Sequence, residues 1–243
     1  MGEVGRRLTT AIAAAGADVV PVTRAAGWRE ALADGTTPLL VCVREEDLPD
    51  VLARLAGVAA ERLVFVQNGW VSPLLAALSG VTRGLLWFTS KGDFHRVLRP
   101  SVISGPLAER LAAALTRGGI AAVAVDGSAF AAAEAEKMGF NCVVGLPLVV
   151  HRLSLAEYLT REEGEARAVF SEALAAVAGA LAVEPPARAW EEFVRACGPI
   201  GWLRPSAAKA LEFRNGAVVR LARELGGQAP VNLRLLEAAG FRT

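Results

Sequence analysis

A cation and an amide four residues apart are the clearest chemical pairing in this sequence. Lys137 and Asn141 lie in a stretch whose pattern predicts a helix over residues 130–150. At that spacing they share one helical face. The amide can fix a ligand, and the ammonium can meet an oxygen on which negative charge develops. Apolar neighbours (Met138, Phe140, Cys142, Val143) favour this use of Lys137 over that of an ordinary surface lysine. Asn68 ends an apolar run just before Gly69 and reads either as a ligand contact or as a turn former.

A second constellation sits at the start. Gly2-Glu3-Val4-Gly5 opens a predicted helix over residues 5–15, stopped by Gly16, and DVVPV over residues 18–22 predicts a buried strand. In the dinucleotide-binding pattern G-x-G-x-x-G, the glycines admit the pyrophosphate to a helix N-terminus. Gly2 and Gly5 have the spacing of its second and third glycines. The first glycine and first strand would lie upstream of Met1, so the expectation is a native start further upstream. The competing reading is a loose N-terminus leading into a surface helix. After DVVPV comes Thr23-Arg24, without an acidic residue. Arg24 is placed to pair with the 2′-phosphate of NADP, or is a solvated loop arginine.

The elements that position these residues change character along the chain. Strand signals at residues 18–22, 38–43, 63–66, 85–89, 102–104 and 120–125 are separated by helical stretches at 47–55 and 106–117. Continuous apolar strands alternating with helices predict a parallel sheet covered on both faces. From about residue 128 helices take over, at 130–150, 154–183, 188–196, 209–225 and 231–239. The expected organisation is an α/β, Rossmann-type sheet lacking its first strand over residues 1–128, then an all-helical domain over 129–243. The first is read as dinucleotide-binding, the second as the substrate and dimerisation domain.

Composition narrows the function classes. The 243 residues are 53% hydrophobic and 21% charged, enough to build a full core. A formal net charge of +1 argues against nucleic acid as a partner. No apolar run approaches the roughly 20 residues of a membrane span. The three cysteines are scattered and odd in number, which fits a reducing cytoplasm. Two distant histidines, His95 and His151, suggest no metal site.

Three segments together resemble the ketopantoate reductases (2-dehydropantoate 2-reductases) of the 6-phosphogluconate-dehydrogenase-like superfamily. Val64-Phe65-Val66-Gln67-Asn68-Gly69 is similar to that family's strand-then-QNG motif. Lys137 to Asn141 matches its K-x-x-x-N motif. Asn215-Gly216-Ala217-Val218-Val219-Arg220, with Ala229-Pro230-Val231-Asn232, matches its N-G-x-V-V-R and P-x-N signature. The resemblance implies reduction of a 2-keto acid to a 2-hydroxy acid with NADPH. It makes Lys137 the general acid, puts Asn68 beside nicotinamide and substrate, and assigns Asn141 to substrate. Ser206 and Glu212 are weaker substrate-binding candidates.

The departures are specific. A second family asparagine, four residues past Asn141, is Gly145 here. The acidic residue five positions before Asn215 is Ala210, and a tryptophan before the lysine is Ala135. Glu212 stands two residues beyond Ala210, about 200° around a helix, so it is no simple substitute. Two readings follow: an NADPH-dependent 2-keto-acid reductase, expected as a homodimer, or a catalytically weakened member serving as a nucleotide-binding or oligomeric scaffold. An unrelated α/β protein with chance motifs is the third.

Overall fold

The computed structural model describes residues 2–23, 25–91 and 94–242. Arg24, read above as a partner for NADP, lies outside them. The chain divides into two units, Met1–Gln67 with Val71–Phe130, and Asn68–Trp70 with Ala131–Thr243.

The first unit runs α1 (Glu3–Ala14), α2 (Trp28–Ala33), β1 (Leu39–Val41), α3 (Leu48–Arg54), β2 (Leu63–Phe65), α4 (Ser72–Leu75), β3 (Thr82–Leu85), β4 (Phe88–Lys91), β5 (Phe94–Val97), β6 (Ser101–Ser104), α5 (Ala108–Arg117) and β7 (Ala122–Ala124). Five strands form one sheet in the order β1-β2-β3-β6-β7, and β4 pairs with β5 as a separate hairpin. Helix α1 buries Gly5, Leu8 and Ala11 along one side. Its Leu8 joins Val64, Val66, Ile103, Leu115 and Ile120 in the core of this unit. The chain then turns at Gly16, with φ of 86°, a conformation glycine adopts without strain.

Helices α1 and α5 meet at backbone distance. A Cβ on Gly118, at the end of α5, would overlap the backbone carbonyl of Ala11. Backbone cannot swing aside as a side chain can. Gly118→Ala is therefore expected to lower stability by about 2–3 kcal/mol, measured by urea unfolding. A loss below about 0.5 kcal/mol would mean that the two helices do not meet this way.

Three sequence expectations for this unit need correction. DVVPV over residues 18–22 forms no strand. A strand exists only where a neighbour takes up its backbone groups, none pairs with this segment among the described residues, and Val20 is 79% exposed. The sheet is mixed, not parallel: β1-β2, β2-β3 and β6-β7 run parallel, but β3 and β6 are antiparallel. The connection between β3 and β6 is the β4-β5 hairpin, not the helical crossover that usually joins parallel neighbours. The apolar run over residues 85–89 is divided between β3 and β4, which belong to different sheets.

The second unit is helical: most of α6 (Gly127–Val143), then α7 (Leu146–His151), α8 (Leu155–Arg161), α9 (Glu163–Leu181), α10 (Ala189–Cys197), α11 (Asn215–Glu224) and α12 (Pro230–Ala238). Rings of Phe140, Phe170, Trp190 and Phe193 pack together in its core, with centroids 5.0–5.9 Å apart. The long helices read from the sequence are broken. The stretch over 130–150 parts at Gly145, just before Pro147, whose ring fits the first turn of α7 but not a helix interior. The stretch over 154–183 parts at Glu162, whose φ and ψ are −124° and 35°. Ser154 and Glu157 start α8 with a reciprocal capping box. The helix expected from residue 209 begins only at Asn215, because Ala210 is left-handed and Arg214 has φ −121° and ψ −108°. Among the described residues, no single helix is long and apolar enough to cross a membrane.

The architecture is thus an α/β unit with a Rossmann-type sheet, joined to an all-helical unit.

Candidate functional site

Helix α6 carries Lys137 and Asn141 on one face, and both are buried. The Lys137 ammonium lies 4.6 Å from the centre of the Phe140 ring, a cation–π distance. The Asn141 side-chain amide donates to the backbone carbonyl of Asn68 at 2.5 Å. The Trp70 N–H donates to the carbonyl of Phe213 at 2.6 Å. Those two bonds stitch the short segment Asn68–Trp70 into the helical unit. The structure therefore brings three sequence candidates together: Lys137 and Asn141 by helical spacing, and Asn68 through its main chain.

Ser206 and Glu212 do not join them. Both are exposed, and among the described residues neither side chain forms a hydrogen bond or ion pair. Glu212 sits in a 3₁₀ turn, and its backbone carbonyl accepts from Arg220 at 2.8 Å.

At the other candidate, Gly2 precedes α1 with an extended backbone, and no side chain caps the helix. A Cβ on Gly2 would meet nothing within 4 Å. Glu3 stands in the first turn, Val4 packs against the core, and Gly5 is buried. Gln67 was not singled out from the sequence. Its amide donates to the carbonyls of Val41 and Val43 at 3.0 and 3.1 Å, while its Oε1 is buried without a partner among the described residues. A buried polar residue closing an apolar strand was the available signal.

The C-terminal signature has a mechanical role. The Asn215 amide donates to Asn232 Oδ1 at 2.8 Å and to the Cys142 carbonyl at 3.3 Å. The Asn232 amide donates to the Val169 carbonyl at 3.3 Å and to Glu172 Oε2 at 2.7 Å. The Glu172 carboxylate also accepts from the backbone N–H groups of Val231 and Asn232, both at 2.9 Å, at the start of α12. A carboxylate there satisfies free donors and complements the helix dipole. One cluster so ties α6, α9, α11 and α12 together.

No family model and no curated protein sequence matches the chain. Solved structures do. A 2-dehydropantoate 2-reductase from Methylococcus capsulatus matches with a TM-score of 0.74 at 20% identity, over 99% of this chain and 94% of that one. A ketopantoate reductase from Ralstonia eutropha JMP134 matches with a TM-score of 0.65 at 21% identity, over 81% and 72%. The fold is that of the ketopantoate reductases. It is shared by a D-mandelate dehydrogenase solved with NADH, which matches with a TM-score of 0.75 at 15% identity, over 98% of this chain and 94% of that one.

On this ketopantoate reductase fold, two departures change the surroundings of α6. Gly145 lies against Asn141 and Arg214: a Cβ built on it would be 3.3 Å from the Asn141 carbonyl oxygen, a tight contact, and 4.0 Å from Arg214 Nη1. Ala210 puts no acid at the position five residues before Asn215 and takes up a left-handed backbone. Arg214 directly precedes the N-G motif in the sequence, and nothing there marked it as more than a neighbour of Asn215.

Two cysteines border this region. Burial pushes the Cys142 and Cys197 thiols up to about 12, and the charges of Arg214 and Lys137, respectively, act in the opposite direction. A thiol must ionise to react. Both are expected to resist a disulfide reagent such as DTNB at neutral pH in the folded protein, and to react with Cys42 once denaturant is added. Rapid labelling of either in the folded state would contradict their burial.

Proposed function

We propose that this chain is a nicotinamide-dependent oxidoreductase that reduces a 2-keto acid to a 2-hydroxy acid, with NADPH as its reductant. The observation that carries this reading is the buried α6 face, where the Lys137 ammonium and the Asn141 amide stand together and Asn141 is tied to Asn68. The ketopantoate reductases and D-mandelate dehydrogenase among the similar structures support it.

The cofactor, when bound, supplies the hydride to the carbonyl carbon. Lys137 donates an Nζ proton to the ketone oxygen as charge builds there, and the resulting amine regains its proton from water. General-acid assistance of this kind contributes about 10²- to 10⁴-fold. Asn141, held through Asn68, orients the substrate. The uncapped start of α1, with open space beside Gly2, fits a pyrophosphate, and Arg24 is the residue we assign to the 2′-phosphate. Residues 1–128 are then the dinucleotide-binding domain and 129–243 the substrate domain, through which the protein is proposed to form a homodimer. Free cysteines support work in a reducing compartment such as the cytoplasm.

The test is an NADPH-oxidation screen over a panel of 2-keto acids, run in parallel with NADH. Turnover of at least one acid is the expected result, with NADPH preferred. No turnover of any acid would remove the proposal in favour of the scaffold reading, which Ala210 and the exposed Glu212 support.

A further inference from the structure

Strand β7 ends the sheet of the first unit, and among the described residues no strand pairs with its outer edge. Residues 120–125 read Ile-Ala-Ala-Val-Ala-Val, an apolar run without charge or proline. Val123 is 45% exposed, and Ala124 beside it is exposed too. An edge of this kind is a template for another chain, because its backbone groups lack partners and its side chains favour extended pairing. Charges and prolines commonly blunt such edges, and this strand has neither.

The register shows which backbone groups point outward. The Ser101 N–H donates to the Ala121 carbonyl at 2.8 Å, and the Val125 N–H donates to the Ile103 carbonyl at 2.9 Å. Backbone groups alternate in direction along a strand. Those of Ala121, Val123 and Val125 therefore serve β6, and those of Ala122 and Ala124 face away from it. The Ala122 groups are nonetheless occupied. Thr116, in the last turn of α5, accepts from the Ala122 N–H at 3.1 Å and donates its hydroxyl proton to the Ala122 carbonyl at 3.2 Å. One hydroxyl thus takes both bonds that a neighbouring strand would make to this residue. The turn between α5 and β7 does not need them. It is already fastened by backbone bonds from Gly118 to Ala114, Gly119 to Thr116 and Ile120 to Leu115.

We propose that the Thr116 hydroxyl guards this edge: by occupying the outward N–H and C=O of Ala122, it blocks pairing of β7 with the β7 strand of a second copy of the chain. A second copy is the occupant the edge fits. A strand edge can meet its own image about a twofold axis, and residues 120–125 carry no charge that would repel that image. The inference is independent of the proposed reaction.

The test is sedimentation velocity on the full chain over a range of protein concentrations, with a thermal melt of each variant. Thr116→Val keeps the branched shape and loses the hydroxyl. It is expected to self-associate at a concentration about tenfold below that of the parent, since each chain now presents an unpaired donor and acceptor. Thr116→Ser keeps the hydroxyl and should behave as the parent. Adding Val123→Lys to Thr116→Val puts a charge on the exposed edge and should restore parental behaviour. That reversal separates β7 pairing from any dimer made by the helical unit. Hydrogen exchange at the Ala122 amide should quicken in dilute Thr116→Val and slow again as copies associate. A Thr116→Val protein that associates as the parent does, whatever its melting temperature, leaves Thr116 a fastener of the turn and overturns the proposal. New association that Val123→Lys fails to reverse, or that appears only once the protein begins to melt, overturns it as well.

Discussion

Lys137→Ala is expected to lower kcat about 10³-fold, with KM changed only a few-fold. The side chain acts on an oxygen whose charge appears in the transition state, so its loss raises the barrier more than it weakens substrate binding. A 10³-fold loss corresponds to about 4 kcal/mol of transition-state stabilisation. Lys137→Arg should stay nearly as slow, because a guanidinium keeps its proton at neutral pH and cannot act as the acid. The burial of Lys137 against Phe140 means that truncation also leaves a small void. Steady-state NADPH oxidation is therefore to be measured beside a thermal melt. A Lys137→Ala enzyme that remains folded and turns over within fivefold of the parent would dismiss the lysine as the acid.

The largest loss of stability is expected from Asn232→Leu. Asn232 is fully buried, and its side chain accepts from Asn215 and donates to Val169 and Glu172. Leucine keeps the branched skeleton but is bulkier, and the Asn215 amide, the Val169 carbonyl and the Glu172 carboxylate each lose a partner. Leaving several buried polar groups short costs about 3–5 kcal/mol. In a chain of this length that is a fall of roughly 10 °C in melting temperature. The Asn215→Leu change should cost less, and the double variant less than the sum, because the two share one bond. Chemical unfolding of the three variants is the measurement. Additive costs, or a loss below about 1 kcal/mol for Asn232→Leu, would show that the cluster is not what joins these helices.

What the sequence disclosed depended on the range of the interactions. Helix α1, strands β1 and β2 and helix α5 follow from local apolar patterns and were legible. DVVPV had the composition of a strand, but a strand is completed by a neighbour, and composition does not supply one. The antiparallel step between β3 and β6 was hidden for a similar reason: an apolar run does not record its direction. At the site, Lys137 and Asn141 were legible because four residues on a helix are one turn. The part Asn68 plays was only half legible, since its backbone carbonyl receives the Asn141 amide. The Asn215 and Asn232 motif was visible, but its mechanical role was not, because Glu172 lies 60 residues from Asn232. Ser206 and Glu212 came from family spacing alone, and the irregular turn before α11 leaves both in solvent.

The missing side chain at Gly145 couples that position to Arg214. An asparagine at position 145, as in the family pattern, would have to sit beside Arg214 Nη1, whose centre is 4.0 Å from the first side-chain atom. An exchange at one position is therefore expected to change the effect of an exchange at the other, which a double-mutant cycle on Gly145→Asn and Arg214→Met measures.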